Sequence, residues 1–379
     1  MAREYGVGIL GCGNISAAYF KLIPLFKNLK AVACADINPA AAEARAAEFG
    51  VRAETVEALL ADPDVDVIVN LTIPEAHFAM SKRVLEAGKH VYSEKPFVLS
   101  IEEGEELRKI ADAKGLRVGS APDTFLGGAH QYARKLIDDG AIGKVMSGTA
   151  HVLGAGMEAW HPNPDFFFRP GGGPILDMGP YYVTNLVNLV GPVKRVMAMA
   201  NMARTERVIG NGPRNGEAVP VTTPTNIHAI LEFENGAHIA LMGSWDVIAN
   251  KHTNMELYGV DGALHVPDPN FFGGSVEMAQ RGGKGFEAVE LWDHPLTQAK
   301  FQTQDGRMLA NYRAAGISDM MAAHEEGREH RCSLDRALHV VDVLLSILKS
   351  AEEKRSVDIG TKCTQPAPFT MEEAAALMR

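Results

Sequence analysis

A short apolar run at residues 5–10 stops at Gly11-Cys12-Gly13-Asn14-Ile15-Ser16, and a helical pattern follows at once over residues 15–29. A buried strand that turns directly into a helix needs a residue without Cβ at the bend. The same order recurs down the first third of the chain. An apolar run at 29–35 ends at Asp36, and Asn38-Pro39 opens an alanine-rich helix through residue 49. Proline suits the first turn of a helix. Residues 65–71 are apolar almost throughout, as in a parallel strand covered on both faces. A helix over 74–87 ends at Gly88, and strands at 90–92 and 116–119 flank a helix over 101–113. This alternation predicts an α/β fold with a doubly wound parallel sheet. Right-handed crossovers bring the carboxyl ends of all its strands to one edge. That edge would gather Gly11, Asp36, residues 71–74 and Glu94-Lys95-Pro96, and the ligand crevice is expected there.

The pattern changes after about residue 121. A helix over 126–139 is followed by strand-like runs at 144–152, 193–202, 226–233, 237–245 and 254–258, with Glu234-Asn235-Gly236 as a hairpin turn. A helix over 179–189 stops at Gly191-Pro192, and residues 210–224 read as a long loop at a subunit contact. The expected division is a dinucleotide-binding domain over 1–122 and an α+β domain over 123–379, built on a mainly antiparallel open sheet. One face of that sheet would cover the site and the other meet a partner subunit. Leu338, Val341, Leu344, Leu345 and Leu348 make one stripe on a helix over 334–349, which is expected to return and brace the first domain.

Composition narrows the function classes. At 379 residues, with 46% hydrophobic and 22% charged side chains, the chain can bury a large core without disulfides or a structural metal. The 47 acidic residues outnumber the 37 basic ones, which opposes a broad nucleic-acid footprint. Cys12, Cys34, Cys332 and Cys363 are scattered, with no CxxC pair or Cys/His cluster, so no metal is expected and a reducing, cytoplasmic location is. No apolar run approaches the roughly 18 residues of a membrane span, and the N-terminal pattern is not that of a signal peptide. The sequons at Asn14 and Asn70 are read as coincidences.

Gly11 and Gly13 keep the first two glycines of the dinucleotide fingerprint, and Ser16 replaces the third small residue. Gly11 would make the turn, and Gly13 would let a pyrophosphate approach the backbone N–H groups of Gly13, Asn14 and Ile15. Asp36 ends the second strand, where a carboxylate accepts hydrogen bonds from an adenosine ribose diol and repels a 2′-phosphate. NAD is therefore expected, with NADP as the alternative; capping the next helix is the plainer role for Asp36. Thr72, Pro74 and His77 follow the third strand and are assigned to the middle or nicotinamide half of the cofactor, against a local packing role for His77. Lys95, in Glu94-Lys95-Pro96, is placed to touch both the nicotinamide ribose and a substrate hydroxyl, with Glu94 orienting its amine. A surface salt bridge before a turn is the plainer reading.

The second cluster spans Gly171-Gly172-Gly173 to Asp177, Tyr181 and Tyr182. Asp177 and Tyr181 are four residues apart, so a helix sets them on one face, and Asn185 continues that face. A carboxylate and a phenol facing a polyol can hold adjacent hydroxyls and move a proton. A free phenol, with a pKa of about 10, needs a cation such as Lys95 beside it to act near neutrality. Helix capping by Asp177 and packing by the tyrosines are the structural alternatives. Trp160 and His161, with Phe166-Phe167-Phe168, are assigned to the substrate wall, and His161 is a reserve proton donor. His228 and His238 flank one hairpin but are too few for a metal site.

On these residues the chain resembles the glucose–fructose oxidoreductase, inositol dehydrogenase and rhizopine-catabolism (Gfo/Idh/MocA) family. The resemblance runs through the Gly11/Gly13 turn, Glu94-Lys95-Pro96, the 171–181 segment and the last helix. It implies a Rossmann domain, a large open-sheet substrate domain, homodimers or homotetramers formed through that sheet, and NAD(P)-dependent oxidation of a secondary hydroxyl of a sugar or polyol. Lys95 matches the family lysine and Asp177 its substrate-binding acid. Tyr181 stands where many members carry the catalytic histidine, whereas the glucose–fructose oxidoreductases resemble this chain in using tyrosine there. The rival readings are an NADPH-dependent keto-sugar reductase, an NAD-assisted glycoside-cleaving enzyme and a non-catalytic sugar-binding protein. Asp123-Thr124-Phe125-Leu126-Gly127 and Pro267-Asp268-Pro269-Asn270 mark a distinct branch whose substrate the sequence does not name.

Overall fold

The structure, a computed structural model, describes residues 3–302, 306 and 308–379. Strands β1 (Tyr5–Leu10), β2 (Leu29–Ala35), β3 (Arg52–Glu54), β4 (Val67–Asn70), β5 (His90–Ser93) and β6 (Val118–Ser120) form a parallel sheet in the order β3-β2-β1-β4-β5-β6. Helices α1 (Ser16–Leu22), α2 (Pro39–Phe49), α3 (Val56–Ala61), α4 (Pro74–Glu86) and α5 (Ile101–Lys114) connect them. All six residues of β1 are buried. Val7 and Ile9 pack with Tyr19, Phe20 and Val69 on one face, whereas Leu10 joins Ile68, Val91 and Val118 on the other. Strand order reverses between β1 and β4, and a ligand crevice opens at such a switch point.

Helix α1 is shorter than the periodicity predicts. Pro24, within a 3-10 turn over Ile23–Leu25, has no N–H to continue the ladder. Strand β3 and helix α3 were not foreseen. The three residues of β3, Arg-Ala-Glu, carry no hydrophobic alternation, and α3 is a six-residue helix capped by Thr55.

The second sheet is mixed. Helices α6 (Gly128–Asp138) and α7 (Gly173–Val190) are interleaved with β7 (Val145–Leu153), β8 (Val193–Asn201), the small ribbon β9 (Glu206–Val208) and β10 (Ala218–Pro220), then β11 (Asn226–Phe233), β12 (His238–Ser244), β13 (Met255–Gly259) and β14 (Gly262–Val266). The chain continues through β15 (Glu277–Gln280), β16 (Glu287–Ala288), β17 (Phe301–Gln302), β18 (Met308–Leu309), α8 (Ala315–Glu326), α9 (Leu334–Glu353), β19 (Val357–Asp358) and α10 (Met371–Leu377). Nine strands pair in the order β16-β15-β14-β13-β7-β12-β11-β8-β19, antiparallel except for β7 beside β12. The Asn235-Gly236 turn sets the β11–β12 register, with Gly236 at φ 88°. That register pairs His228 with Met242 and His238 with Glu232, so the two histidines do not face each other.

The inner face of this sheet, including Ala150, Val196, Ile227, Leu231 and Leu241, packs against α7 and α9 through Ile175, Leu186, Leu344 and Ile347. On the outer face Met197, Met199 and Ile230 are exposed. Helix α9 lies between the two sheets. Leu338 and Val341 belong to the core of the first sheet, whereas Leu344 and Ile347 belong to that of the second. Gly179 of α7 permits this approach, because a Cβ there would stand 2.6 Å from Leu344. The 210–224 segment is not simply a loop: β10 pairs with β9, and Val219 packs with Phe168 and Trp245.

Candidate active site

Three chain segments converge at the crevice. The first is the turn after β1. Gly11 has φ 99°, and a Cβ there would lie 2.7 Å from the carbonyl carbon of Leu71. Gly13 faces open space, with nothing within 4 Å of where its Cβ would be, and Asn14 is exposed. Ile15 sits at the start of α1 without a side-chain cap. Asp36 accepts the Cys12 N–H at 2.7 Å and the Asn38 N–H at 2.8 Å, so it fastens the end of β2 to this turn. The cap of α2 is Asn38, not Asp36. Arg45 reaches back from α2 to Ser16 Oγ at 3.1 Å and the Gly13 carbonyl at 3.4 Å.

The second segment joins the ends of β4 and β5. Asn70 Oδ1 accepts from the Thr72 N–H and hydroxyl. Pro74 opens α4, and His77 one turn later is buried. Its two ring nitrogens lie 2.9 Å from the Thr72 carbonyl and 2.7 Å from the Pro96 carbonyl. His77 therefore ties the two crevice loops together from behind. Glu94 Oε2 accepts the backbone N–H of Lys95 at 2.9 Å, and Oε1 accepts the Tyr19 hydroxyl at 3.0 Å. It shapes the loop and does not hold the Lys95 amine as expected.

The third segment is α7. Gly171 and Gly173, at φ 91° and 86°, bend the chain into the helix, which starts six residues before the expected position. Asp177 is consequently inside the helix and not its cap. Lys95 Nζ donates to Asp177 Oδ1 at 2.8 Å and to the Asp177 carbonyl at 2.7 Å, and lies 5.2 Å from the centre of the Tyr181 ring. Burial works against the ammonium, but Tyr181, Asp177 and Glu94 outweigh it and raise the Lys95 pKa. The lysine thus enters the site as a cation.

Lys95, Asp177 and Tyr181 line a cleft of about 640 Å³. Trp160, Phe167 and Trp245 supply aromatic wall. His161 is packed edge-on against Trp160, Phe166 and Phe167, with Nδ1 accepting the Asn163 N–H, and sits behind this wall. Asn185 does not join the cleft. It lies about 12 Å further along α7 than Asp177, at 1.5 Å per residue, where it donates to His130 Nδ1 and accepts from Asn188.

A family model described as an oxidoreductase family with an NAD-binding Rossmann fold matches residues 5–121, and one described as a GFO/IDH/MocA C-terminal domain matches residues 130–265. The chain belongs to the Gfo/Idh/MocA oxidoreductase family. Inositol 2-dehydrogenase of Rhizobium meliloti is 27% identical over 93% of this chain and 98% of its own. D-xylose dehydrogenase of Paenarthrobacter nicotinovorans is 26% identical over 80% of each chain. Among solved structures, apo levoglucosan dehydrogenase superposes with a TM-score of 0.79 at 22% identity, covering 95% of this chain and 100% of its own. The same enzyme complexed with NADH and L-sorbose gives 0.78 at 23%, with 94% and 99% covered. At these identities the superpositions establish the fold.

As in the family, the first sheet is an NAD-binding Rossmann unit, and its crevice fits the dinucleotide. The open side of Gly13 leaves room for a pyrophosphate to approach the backbone, and Asp36 keeps carboxylate lone pairs beyond its two backbone bonds. Among the described residues no group of three or more His, Cys, Asp and Glu side chains is arranged to hold a metal ion, and no helix is long and apolar enough to cross a membrane.

The sequence reading named Tyr182 and set Asp268 and Asn270 apart without placing them in the site, and it missed His151, Asn250, His252 and Asn254, which with them form the polar side of the cleft. His151 and His252 stack with ring centres 4.2 Å apart, and the His151 Nδ1 lies 3.0 Å from the Thr253 carbonyl. Burial pushes the His151 pKa down. Two signals were present. Tyr182 follows Tyr181 on the same helix, and His151 stands near the carboxyl end of a predicted strand.

Proposed function

We propose that this protein is an NAD-dependent dehydrogenase that oxidises a secondary hydroxyl of a sugar or cyclic polyol, or reduces the corresponding ketone. The observation that carries it is the meeting of Lys95 and Asp177 at 2.8 Å beside Tyr181, at the joint between an NAD-binding sheet and a half-open cleft. The named relatives act on inositol and D-xylose, which is the same substrate class.

Gly11, Gly13, Asn14, Ile15 and Asp36 would hold the adenosine and pyrophosphate, with Thr72, Pro74, Glu94 and Lys95 toward the nicotinamide and His77 supporting them. Bound nicotinamide supplies the hydride acceptor or donor. The Lys95 ammonium favours negative charge on any oxygen beside it, so it stabilises alkoxide character at the substrate carbon. Asp177 fixes that ammonium and accepts from a neighbouring substrate hydroxyl. The Tyr181 hydroxyl takes the proton from the reacting hydroxyl during oxidation and returns it during reduction. Trp160 packs on the apolar face of the ring. His161, behind the wall, serves as a support and not as a proton donor. The functional units are residues 1–122 and 123–379, and the protein works as a homodimer or homotetramer through the sheet face that exposes Met197, Met199 and Ile230.

Turnover on aldoses and inositols, read by NADH absorbance, tests this reading. Lys95→Met should lower kcat by about 10²–10⁴-fold and leave the NADH dissociation constant within a few-fold, measured by fluorescence titration. Tyr181→Phe should lower kcat by a similar factor. Unchanged turnover in Lys95→Met would remove the lysine from the chemistry; net glycoside cleavage without NADH accumulation would replace the reaction.

A further inference from the structure

The two segments that the sequence sets apart from the rest of the family meet in the fold. Thr124 Oγ1 donates to the Pro269 carbonyl at 2.6 Å, and His130 Nε2 lies 2.8 Å from the Phe271 carbonyl. Thr124 thus clamps the turn of Pro267-Asp268-Pro269-Asn270, and His130 of α6 holds the chain just beyond it. Within that turn Asp268 Oδ1 accepts the Asn270 N–H at 3.0 Å and the Tyr182 hydroxyl at 3.4 Å, while Asn254 Nδ2 donates to the Tyr182 oxygen at 2.9 Å. Among the described residues Asp268 Oδ2 has no hydrogen-bond partner, and Asp268, Tyr182, Asn254 and Asn270 all line the cleft that Lys95, Asp177 and Tyr181 line.

We infer that Asp268 is a second substrate-binding carboxylate, and that the cleft selects an uncharged polyhydroxyl substrate over a carboxylated or phosphorylated one. This rests on the dehydrogenase reading above. The positive charge of Lys95 is matched by Asp177, no arginine among the described residues lines the cleft, and Arg313, buried near Tyr181, is set against the carboxylates of Glu94 and Asp123, so no surplus cation is left to receive a substrate anion. Asp268 adds negative charge with a free acceptor oxygen. A sugar hydroxyl satisfies that oxygen, whereas a carboxylate or phosphate placed there meets like charge. The remaining cleft groups are neutral amides, the Tyr182 hydroxyl and two imidazoles, which suit hydroxyls as donors or acceptors. Substrate is therefore gripped at two points, by Asp177 near the reacting carbon and by Asp268 away from it, with consecutive tyrosines of α7 serving the two ends.

Matched pairs test this on the full-length protein: D-glucose against D-glucuronate and D-galactose against D-galacturonate, with D-xylose and myo-inositol as further neutral members. Binding is read by quenching of the cleft tryptophans in the NADH complex, and turnover by NADH absorbance. The wild type should bind the neutral member of a pair more tightly. Asp268→Asn keeps the Oδ1 acceptor of the turn and should weaken neutral-sugar binding and raise KM by about ten- to hundredfold, with kcat changed much less and NADH affinity unchanged. The preference over the acid should shrink in the same variant. Preference for the acids in the wild type, unchanged neutral-sugar binding in Asp268→Asn, or no quenching by any neutral member would overturn the inference. Asp268-dependent binding without turnover would uphold it while defeating the dehydrogenase reading; turnover indifferent to Asp268→Asn would do the reverse.

Discussion

His130 gives a sharp test of how the cleft wall is held. It is fully buried on α6, between Phe271 and Asn185. The Phe271 carbonyl requires an N–H on Nε2, and the amide of Asn185 donates to Nδ1 at 3.1 Å, so the ring is neutral with one proton. Protonation would set a second N–H against the Asn185 amide. Turning that amide over would abandon its acceptance from Asn188. Burial accordingly lowers the His130 pKa to about 4, although the Phe271 carbonyl pulls the other way. An unfolded histidine titrates near 6.5. The folded value is the lower one, so stability is full above about pH 6.5 and is lost as pH falls toward 4, where the unfolded chain takes up the proton first. At 1.36 kcal/mol per pH unit, the loss from this one ring reaches about 2.5 kcal/mol by pH 4.5. His130→Gln lacks the ionisation. Urea unfolding of both proteins at several values between pH 7.5 and 4.5 should show the wild type losing its advantage over the variant by about that amount. Parallel stability curves would mean that His130 titrates normally and that its placement between Phe271 and Asn185 is wrong.

Two other substitutions probe the frame of the site. Arg207 is buried against Glu158 at 2.6 Å and Asp246, and also donates to the Ala155 and Trp245 carbonyls at 3.0 Å. Arg207→Met strands the buried Glu158 and the largely buried Asp246 carboxylate and should lower unfolding free energy by about 3–5 kcal/mol, read by urea titration at pH 7.5; a loss under 1 kcal/mol would show that the charges find water. Gly11→Ala forces a methyl toward the Leu71 carbonyl at a positive φ and should weaken NADH binding by about five- to 150-fold by fluorescence titration, since such backbone strain costs about 1–3 kcal/mol. Wild-type affinity would mean that the turn is not where the dinucleotide lies.

The first sheet was legible because its signals are local. Apart from β3, its strands are short and largely apolar runs buried over most of their length, and Gly11, Asp36, residues 71–74 and Glu94-Lys95 all fall at carboxyl ends that one handedness rule brings together. The pairing of Asp177 with Tyr181 was legible from helical spacing, but Asn185 shows the limit of that argument. Spacing gives direction around a helix and says nothing about how far along it the cleft extends, so a residue two turns deeper ended in the core beneath α6. Helix α8 was missed for a related reason. Its first seven residues are all buried, so no polar face marks a period. The polar wall of the cleft was least legible, because its residues come from α7, β7, the approach to β13 and the 267–270 turn. Only pairings such as Leu257 with Gly148 and Met255 with Ala150 carry these segments to one place. The bond from Thr124 to Pro269 spans a sequence separation of 145 residues, and no local pattern encodes it.

The joint between the two sheets explains how a half-buried ion pair can serve chemistry instead of stability. Lys95 comes from the end of β5 and Asp177 from α7, so their bond crosses between the sheets. Their relative placement does not depend on it. Helix α9 already joins both cores, with Leu338 and Val341 in one and Leu344 and Ile347 in the other, and Asp123 fixes the crevice loop to the start of α8 by accepting the Ala314 and Gly316 N–H groups at 3.1 and 3.0 Å. Ala314 adopts φ 87° in that arrangement, a conformation an alanine holds only where its surroundings enforce it. With apolar packing and the Asp123 bonds setting the frame, the Lys95–Asp177 pair can exchange one partner for a substrate hydroxyl without loosening the fold. That separation of roles requires Lys95→Met to depress turnover far more than it lowers the unfolding midpoint.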